Sequence, residues 1–445
     1  MNRFFLGILF FIFSFSATFG QEATPLSLKM CMDYAISHNV SIKNSKIDVL
    51  IQQAQNNQTL SAAYPHVNGK VEVDDFLNPT AQFVDGKFFG FPGTVQKFAF
   101  SLNYASAASV SASQLIFDGS VFVAVKARNT IMEFARQNGA VTEENIRYNI
   151  YKAYNALVIA YRQFGIVKSS LTYARSLEHD VIVTRQTGFA EKIDEERTSV
   201  QVNNLASDSI RIANLLTVSE QVLKYQIGMD INATIILTDT ILEQRKEDAL
   251  TLLNMDKNYE RVPEYNLLKT AIKLNEFNLE RYKLSAIPTI AAFGAMGYNY
   301  GSNKFGDVFK FKDYAFNSTI GLQITVPIFS GFMRANQITE TKLNIEKANN
   351  NIDFLKQSLD FQSAVSKTNL KNAIIQVQSQ RRNMDLANDV LDLAQKKYKA
   401  GVGSNLEVTQ AQTDLLRSQN NYFSALLDII NAEADLKKAL GLLKN

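Results

Sequence analysis

The sequence predicts a mainly α-helical chain that carries a transmembrane β-barrel portion and is built as a tandem structural repeat. Three observations lead there: motifs that return at an almost constant offset, ribbons that alternate apolar and polar residues, and a stretch from residue 332 to 400 with neither glycine nor proline. Its 445 residues would fill two or three ordinary domains, and 46% hydrophobic with 20% charged residues is the balance of a folded chain.

At the start, Met1-Asn2-Arg3 precedes FFLGILFFIFSFSATFG, an apolar run closing on small residues before Gln21. Charged start, apolar middle and small-residue end are the order of a secretory signal peptide, cut after Gly20. A membrane anchor is the other reading, but a span takes about 20 apolar residues and this run is short for one. The lone cysteine, Cys31, lies well past the cut and is a poor candidate for lipid attachment or a disulfide. Without Arg3 of the leader, 45 basic residues stand against 43 acidic ones, a near balance that argues against nucleic acid as a partner. No later segment holds the roughly 20 uninterrupted apolar residues of a membrane helix. An exported chain of this kind is either soluble or enters a membrane as a barrel.

Repetition comes next. QLIFDG (residues 114–119) returns as VPIFSG (326–331), an offset of 212, and LKYQIG (223–228) returns as LKKALG (436–441), an offset of 213. Tyr64-Pro65 and Ile287-Pro288 form a third pair, each closing a helical stretch and opening a strand; unequal loops account for its different offset. The repeated unit is a helix, two strands and two long helices. The predicted organisation is signal peptide 1–20, first repeat 21–228, linker 229–262, second repeat 263–441 and tail 442–445.

The strands decide the class. From residue 98 to 112 the even positions read Phe, Phe, Leu, Tyr, Ser, Ala, Val, Ala between mostly Ser, Asn and Ala; from 314 to 326 they read Tyr, Phe, Ser, Ile, Leu, Ile, Val. Period two with one apolar face is a strand signal. It fits a barrel with lipid outside and water inside, and equally a soluble sheet packed on one face. Residues 67–73 and 290–300 supply the partner strands, and residues 75–96 and 301–313 read as hairpin loops. A barrel across a membrane needs about eight strands. Four strands per chain therefore require association with copies of the same chain, because open edges are not tolerated in hydrocarbon.

The helices follow. Ile345, Ala348, Ile352, Leu355 and Leu359 are spaced 3, 4, 3, 4, as are Met384, Ala387, Leu391, Ala394 and Tyr398; this is coiled-coil spacing. A helix of about 69 residues at about 1.5 Å each runs roughly 100 Å, longer than a helix of an ordinary bundle. Residues 120–187 repeat the pattern with only Gly139 and Gly165 as weak points, and all seven prolines lie at proposed boundaries or loops. The joint between strand and rod is Phe117 and Gly119 in the first repeat, and Pro327, Phe329 and Gly331 in the second, where glycine relieves the steric limits of the turn.

Taken together, the duplication, the strand-to-helix step, YKAGVGSNLEVTQAQTDLL (residues 398–416) and ADLKKALG (434–441) resemble the TolC family of outer-membrane efflux proteins, over nearly the whole chain past the leader. The resemblance implies a homotrimer in outer-membrane lipid, its 12-stranded barrel (four strands per chain) continued by a helical periplasmic tunnel. It further implies an outer-membrane channel of a tripartite efflux or type I secretion system in a Gram-negative bacterium. Its partners would be a periplasmic adaptor (a membrane fusion protein) and, through it, an inner-membrane RND or ABC transporter. On this pattern Gly188, Phe189, Gly401, Val402 and Gly403 are helix tips that meet the adaptor. Asp194 and Glu407, separated by the same offset as LKYQIG and LKKALG, stand near the closed aperture, where three-fold repetition would gather carboxylates in a narrow neck. An acid at a helix start, favoured by the N-terminal dipole, is the alternative for both. Gln410 and Gly403 depart from the best-known member, which has an acidic and a basic residue there, so the familiar gate network is not carried over intact. Residues 229–262 would form a belt around the tube; a charged linker on a solvated surface reads the same.

No enzyme and no cofactor are predicted. His38, His66 and His179 are widely separated and form no metal pair or nucleophile motif. A structural trimeric coiled-coil surface protein would share the heptads, but it offers no reason for amphipathic strands.

Overall fold

The computed structural model describes residues 24–99, 102–239, 245–310 and 314–443; the signal peptide predicted for residues 1–20 lies outside the described residues. In chain order the elements are β1 (Thr24–Leu26), α1 (Leu28–His38), α2 (Val40–Ser61), β2 (His66–Asp75), β3 (Ala81–Asp85), β4 (Val95–Ala99), β5 (Tyr104–Phe117), α3 (Gly119–Gln186), α4 (Lys192–Ile227), β6 (Ile235–Leu237), α5 (Arg245–Leu253), α6 (Pro263–Leu284), β7 (Thr289–Ser302), β8 (Ala315–Thr325), α7 (Met333–Lys399) and α8 (Asn405–Ala439). The lengths repeat: α2 and α6 each hold 22 residues, α3 and α7 hold 68 and 67, and α4 and α8 hold 36 and 35.

Four glycines with positive φ end the four long helices: Gly188, Gly228, Gly401 and Gly441. Each is the left-handed residue of a Schellman cap, in which the next amide reaches back to the last turn. Phe189 N–H donates to Thr184 O at 3.0 Å, Val402 to Lys397 O at 3.0 Å, Met229 to Lys224 O at 2.9 Å and Leu442 to Lys437 O at 2.8 Å. Gly188 pairs with Gly401, and Gly228 with Gly441, both at the offset of the LKYQIG and LKKALG motifs.

The chain forms two compact units, and each draws on both halves of the sequence. Residues up to 44, with 141–262 and 358–445, make the helical unit; residues 45–140 and 263–357 make the unit that carries the sheets. In the helical unit the apolar stripe of α8 (Val408, Ala411, Leu415, Leu426, Ile430, Leu436) is buried, at the spacing an amphipathic helix needs. One core gathers Tyr151, Leu370, Phe423 and Ile430, with Ala249 and Leu252 of α5. A second gathers Cys31, Ile150, Tyr154, Leu223 and Ile227, with Ile235 of β6. Residues from 229–262 thus enter both cores. β6 pairs with β1 in parallel, Lys257 Nζ sits 2.8 Å from Asp360 Oδ1, and Lys367 Nζ donates to Met255 O. The buried Cys31 thiol is pushed up to about 12 by burial and by nearby Asp239, which keeps it protonated and unreactive.

In the other unit, one antiparallel sheet runs β2-β5-β7-β8. The register sorts its residues into two faces. Val67, Val71 and Val73 lie opposite Ala112, Ala108 and Ser106; Val110 lies opposite Met296 and Ala108 opposite Tyr298; Tyr298, Gly294, Ala292 and Ile290 lie opposite Phe316, Ile320, Leu322 and Ile324. Apart from Ser106, which is buried and donates to Val308 O, that face is apolar and largely exposed, with Ile320 91% exposed. The other carries Asn68, Lys70, Glu72, Ser109, Ser111, Asn299, Asn317, Thr319 and Gln323. β2 and β8 each have one partner, so both sheet edges are open.

The sheet departs from expectation at one place. Residues 98–112 do not form a single strand: β4 ends at Ala99, and β5 begins at Tyr104. The span expected as a plain loop contains a second hairpin, β3 with β4. Phe76 N–H donates to Asn103 O at 2.7 Å, closing the mouth of the insert before β5 takes up its pairing with β2. Alternation alone could not see this break, because the same period continues through both segments.

Candidate functional site: helix tips, first-turn acids and strand-to-helix joints

At one end of the helical unit, α3 turns into α4 over Gly188 and α7 turns into α8 over Gly401. Neither glycine has a heavy atom within 4 Å of where a Cβ would stand, so each is needed for its φ alone. Gly403 is different: a Cβ there would meet Lys397 Cβ at 2.8 Å and Tyr398 N at 3.0 Å. The turn folds back onto the last turn of α7, so a side chain would collide there, at the position where Gly403 departs from the basic residue of the best-known family member. Just beyond the glycines, Phe189 is 87% and Val402 78% exposed.

The two tips are held by different chemistry. In the first, Arg185 Nε pairs with Glu195 across the α3–α4 turn. At the matching positions of the second tip stand Tyr398 and Val408, packed in an apolar cluster with Leu177, Val181, Leu391 and Leu415. Ser404 caps α8, its Oγ accepting from Glu407 N–H at 3.2 Å, whereas Glu191 at the matching place makes no side-chain cap.

Asp194 and Glu407 both fall in the first turn of their helices, where the dipole favours a carboxylate. Their surroundings differ. Asp194 is half-buried; its carbonyl accepts from Asn405 Nδ2 at 3.2 Å, stitching α4 to the start of α8. Its carboxylate, with that of Asp180, lies close enough to Tyr398 to help burial push that phenol's pKa up. Glu407 is exposed and lines a groove of about 460 Å³ between α7 and α8 with Val390, Leu393, Lys397, Gln410 and Asp414. No hydrogen bond or ion pair among the described residues joins the two carboxylates. Sequence reasoning missed Asp414, which holds Gln410 Nε2 at 3.1 Å; its spacing of seven from Glu407 was the available signal. It also missed Asn405, whose side-chain amide makes the link to Asp194.

The joints are likewise unequal. Phe117 ends β5, and α3 begins just past Asp118, whose Oδ1 accepts from Ser120 N–H at 2.7 Å. Gly119 is helical rather than left-handed; a Cβ there would meet Leu284 Cβ and O at 3.0 Å, so it is close packing that asks for glycine. In the second copy, residues 326–332 form an irregular link containing Pro327 and Phe329. Gly331 takes φ 57° and Phe332 φ 63°. A left-handed aromatic is uncommon, and here its ring meets Phe329 edge-on at 5.4 Å. Glycine thus frees the turn at Gly331 as expected, but not at Gly119.

No helix among the described residues is long and apolar enough to cross a membrane. Comparison with known proteins adds the following. The family model described as outer membrane efflux protein matches residues 285–442. The alkaline protease secretion protein AprF of Pseudomonas aeruginosa is 21% identical over 181 residues, 41% of this chain and 37% of AprF. The probable efflux pump outer membrane protein TtgC of Pseudomonas putida is 30% identical over 125 residues, 27% of this chain and 25% of TtgC. The matched segments therefore span only a minor part of those relatives. In structure, the CmeC outer membrane channel of Campylobacter jejuni aligns with a TM-score of 0.71 at 15% identity, covering 93% of this chain and 85% of CmeC. The fold is that of these channels along nearly the whole chain.

Proposed function

We propose that the chain, whose residues 285–442 match the outer membrane efflux protein family model, is the outer-membrane channel-tunnel of a tripartite efflux or type I secretion system. It passively exports solutes handed to it by an inner-membrane RND or ABC transporter through a periplasmic adaptor. The observation that carries this reading is the four-stranded sheet with one bare apolar face, one polar face and two open edges. Such an edge cannot stay unpaired in hydrocarbon. β2 and β8 run in opposite directions, so β8 of one copy meets β2 of the next as one more antiparallel pair, and a ring of copies closes without a parallel step. Three copies give 12 strands; the number three is the family's. The apolar face then meets lipid and the polar face encloses water.

On the same reading the helical unit forms the periplasmic part of the path. Energy and substrate choice reside in the partners, while Phe189 and Val402, bare on turns fixed by glycine caps, present apolar anchors to the adaptor. Replacing both with serine leaves the caps intact and is expected to lower adaptor crosslinking several-fold, on the scale of losing two buried anchors. Crosslinking at wild-type yield would assign the adaptor to another surface.

At the aperture, Asp194 and Glu407 set a negative potential in the neck. The test is single-channel recording of the purified full chain in planar bilayers. Wild type is expected to conduct with a preference for cations, and the double change Asp194→Ala, Glu407→Ala to shift the reversal potential toward zero under a salt gradient. An unmoved reversal potential removes the two acids from that role. A chain that never conducts and does not run as an outer-membrane oligomer is a surface coiled coil instead.

A further inference from the structure

Among the described residues, the β3–β4 hairpin is the one large feature of the sheet-bearing unit that the second repeat lacks. Residues 76–103 lie between β2 and β5, whereas only residues 303–314 lie between β7 and β8, so the first repeat carries an insert between its two sheet strands. The described part of the insert is held together by hydrogen bonds. Gly86 N–H donates to Thr94 O at 2.7 Å, Phe91 N–H to Gly86 O at 2.8 Å, and Asp85 caps the short 3₁₀ turn at residues 86–89. A loop stabilised in this way nonetheless shows its apolar side chains to the outside: Leu77 is 87%, Phe88 84% and Phe83 73% exposed, with Phe91 and Val95 also exposed. Lys87 and Lys97 stand among them; among the described residues neither has an ion-pair partner. Lys97 lies directly across the strand pair from Phe83.

This hairpin joins the ends of β2 and β5 that lie away from α2 and α3. On the reading of the sheet given above, that end is the outer rim of the barrel. The odd-numbered, lipid-facing row of edge strand β2 (Val67, Val71, Val73) is followed just past the strand's end by the exposed Leu77. Aromatics beside unpaired lysines suit one environment at that height, the boundary between acyl chains and anionic headgroups. We propose that the β3–β4 hairpin is a lipid-docking element, inserting its phenylalanines into the membrane interface while Lys87 and Lys97 engage phosphate groups. Its occupant is the lipid surface and not another copy of the hairpin, since both cations would be brought together at a rim where copies meet.

The chain has no tryptophan, so Phe88→Trp gives a single reporter. Because this inference rests on the barrel reading, Ile320→Trp on the apolar sheet face serves as the control. Both variants are reconstituted as full chains in phosphatidylglycerol-containing vesicles, with and without brominated acyl chains. Phe88→Trp is expected to lose most of its emission to brominated lipid and to resist aqueous iodide; adding Lys87→Gln and Lys97→Gln is expected to restore iodide quenching. If Ile320→Trp is quenched by brominated lipid but Phe88→Trp is quenched only by iodide, the hairpin stands in water and the proposal falls. If Phe88→Trp is shielded from both quenchers, the hairpin packs on protein over the mouth, and the proposal falls equally. If Ile320→Trp itself escapes brominated lipid, the barrel reading has failed first.

Discussion

Ile320→Arg is expected to abolish the outer-membrane oligomer, while Thr319→Arg, one position away, is expected to leave it assembled and to lower its conductance. Ile320 lies midway along β8, opposite Gly294, on the face whose side chains are bare in the single chain. Thr319 lies opposite Ala295 on the polar face. An arginine on the lipid side of a barrel at mid-depth costs about 2–4 kcal/mol per chain, hence roughly 6–12 kcal/mol for three copies. That exceeds most of the margin by which a folded protein is stable. On the polar side the same guanidinium stays in water, and its cost is a narrower, more positive lumen. Gel mobility with and without heating reads the first effect, and bilayer recording reads the second. Circular dichroism supplies the control, since the helical unit has its own cores and keeps its helicity. Equal tolerance at 319 and 320 would mean that the two faces meet the same medium and that no barrel forms.

That contrast was legible in the sequence because period two is local: a strand declares its two faces without reference to any partner. The helices were legible for the same reason. Ile352, Leu355, Leu359, Leu391 and Ala394, named from their 3-4 spacing, are buried. Turns that depend on a single φ were also readable, and Gly188 and Gly401 sit where the motif put them. What stayed hidden depends on which residues meet across the fold. The Arg185–Glu195 pair and its apolar counterpart, Tyr398 with Val408, occupy matching positions, yet nothing in either stretch says that one tip is closed by charge and the other by packing. The β1–β6 pair joins one very short strand near Gln21 to another inside the linker, and neither is long enough to leave a period. Gly119 and Gly403 read as freedom of φ, whereas the neighbour that excludes a side chain is visible only in three dimensions.

The four Schellman glycines turn that last distinction into a measurement. Any residue with a Cβ in the left-handed region costs roughly 1–2 kcal/mol, and for Gly401→Ala, with nothing within 4 Å of the new atom, the cost ends there. Gly441→Ala adds a collision. Its Cβ would stand 2.6 Å from both the carbonyl carbon and oxygen of Arg261. These are backbone atoms of the short turn after Asn258, and they cannot rotate away as a side-chain tip does. The neighbouring Tyr259 hydroxyl holds Asp360 at 2.8 Å, and Leu440 is buried in the core on the other side, so a shift of either partner strains packed groups. Overpacking of this kind adds roughly 1–3 kcal/mol, for a total of about 2–5 kcal/mol. Gly228→Ala repeats the test from the other half of the chain, with His38 O at 2.7 Å from the new Cβ. Thermal unfolding of the detergent-purified variants is expected to rank Gly441→Ala and Gly228→Ala well below Gly401→Ala and Gly188→Ala. Four equal shifts would mean that the left-handed backbone alone sets the cost, and that helix ends and neighbouring turns in this unit pack more loosely than their distances state.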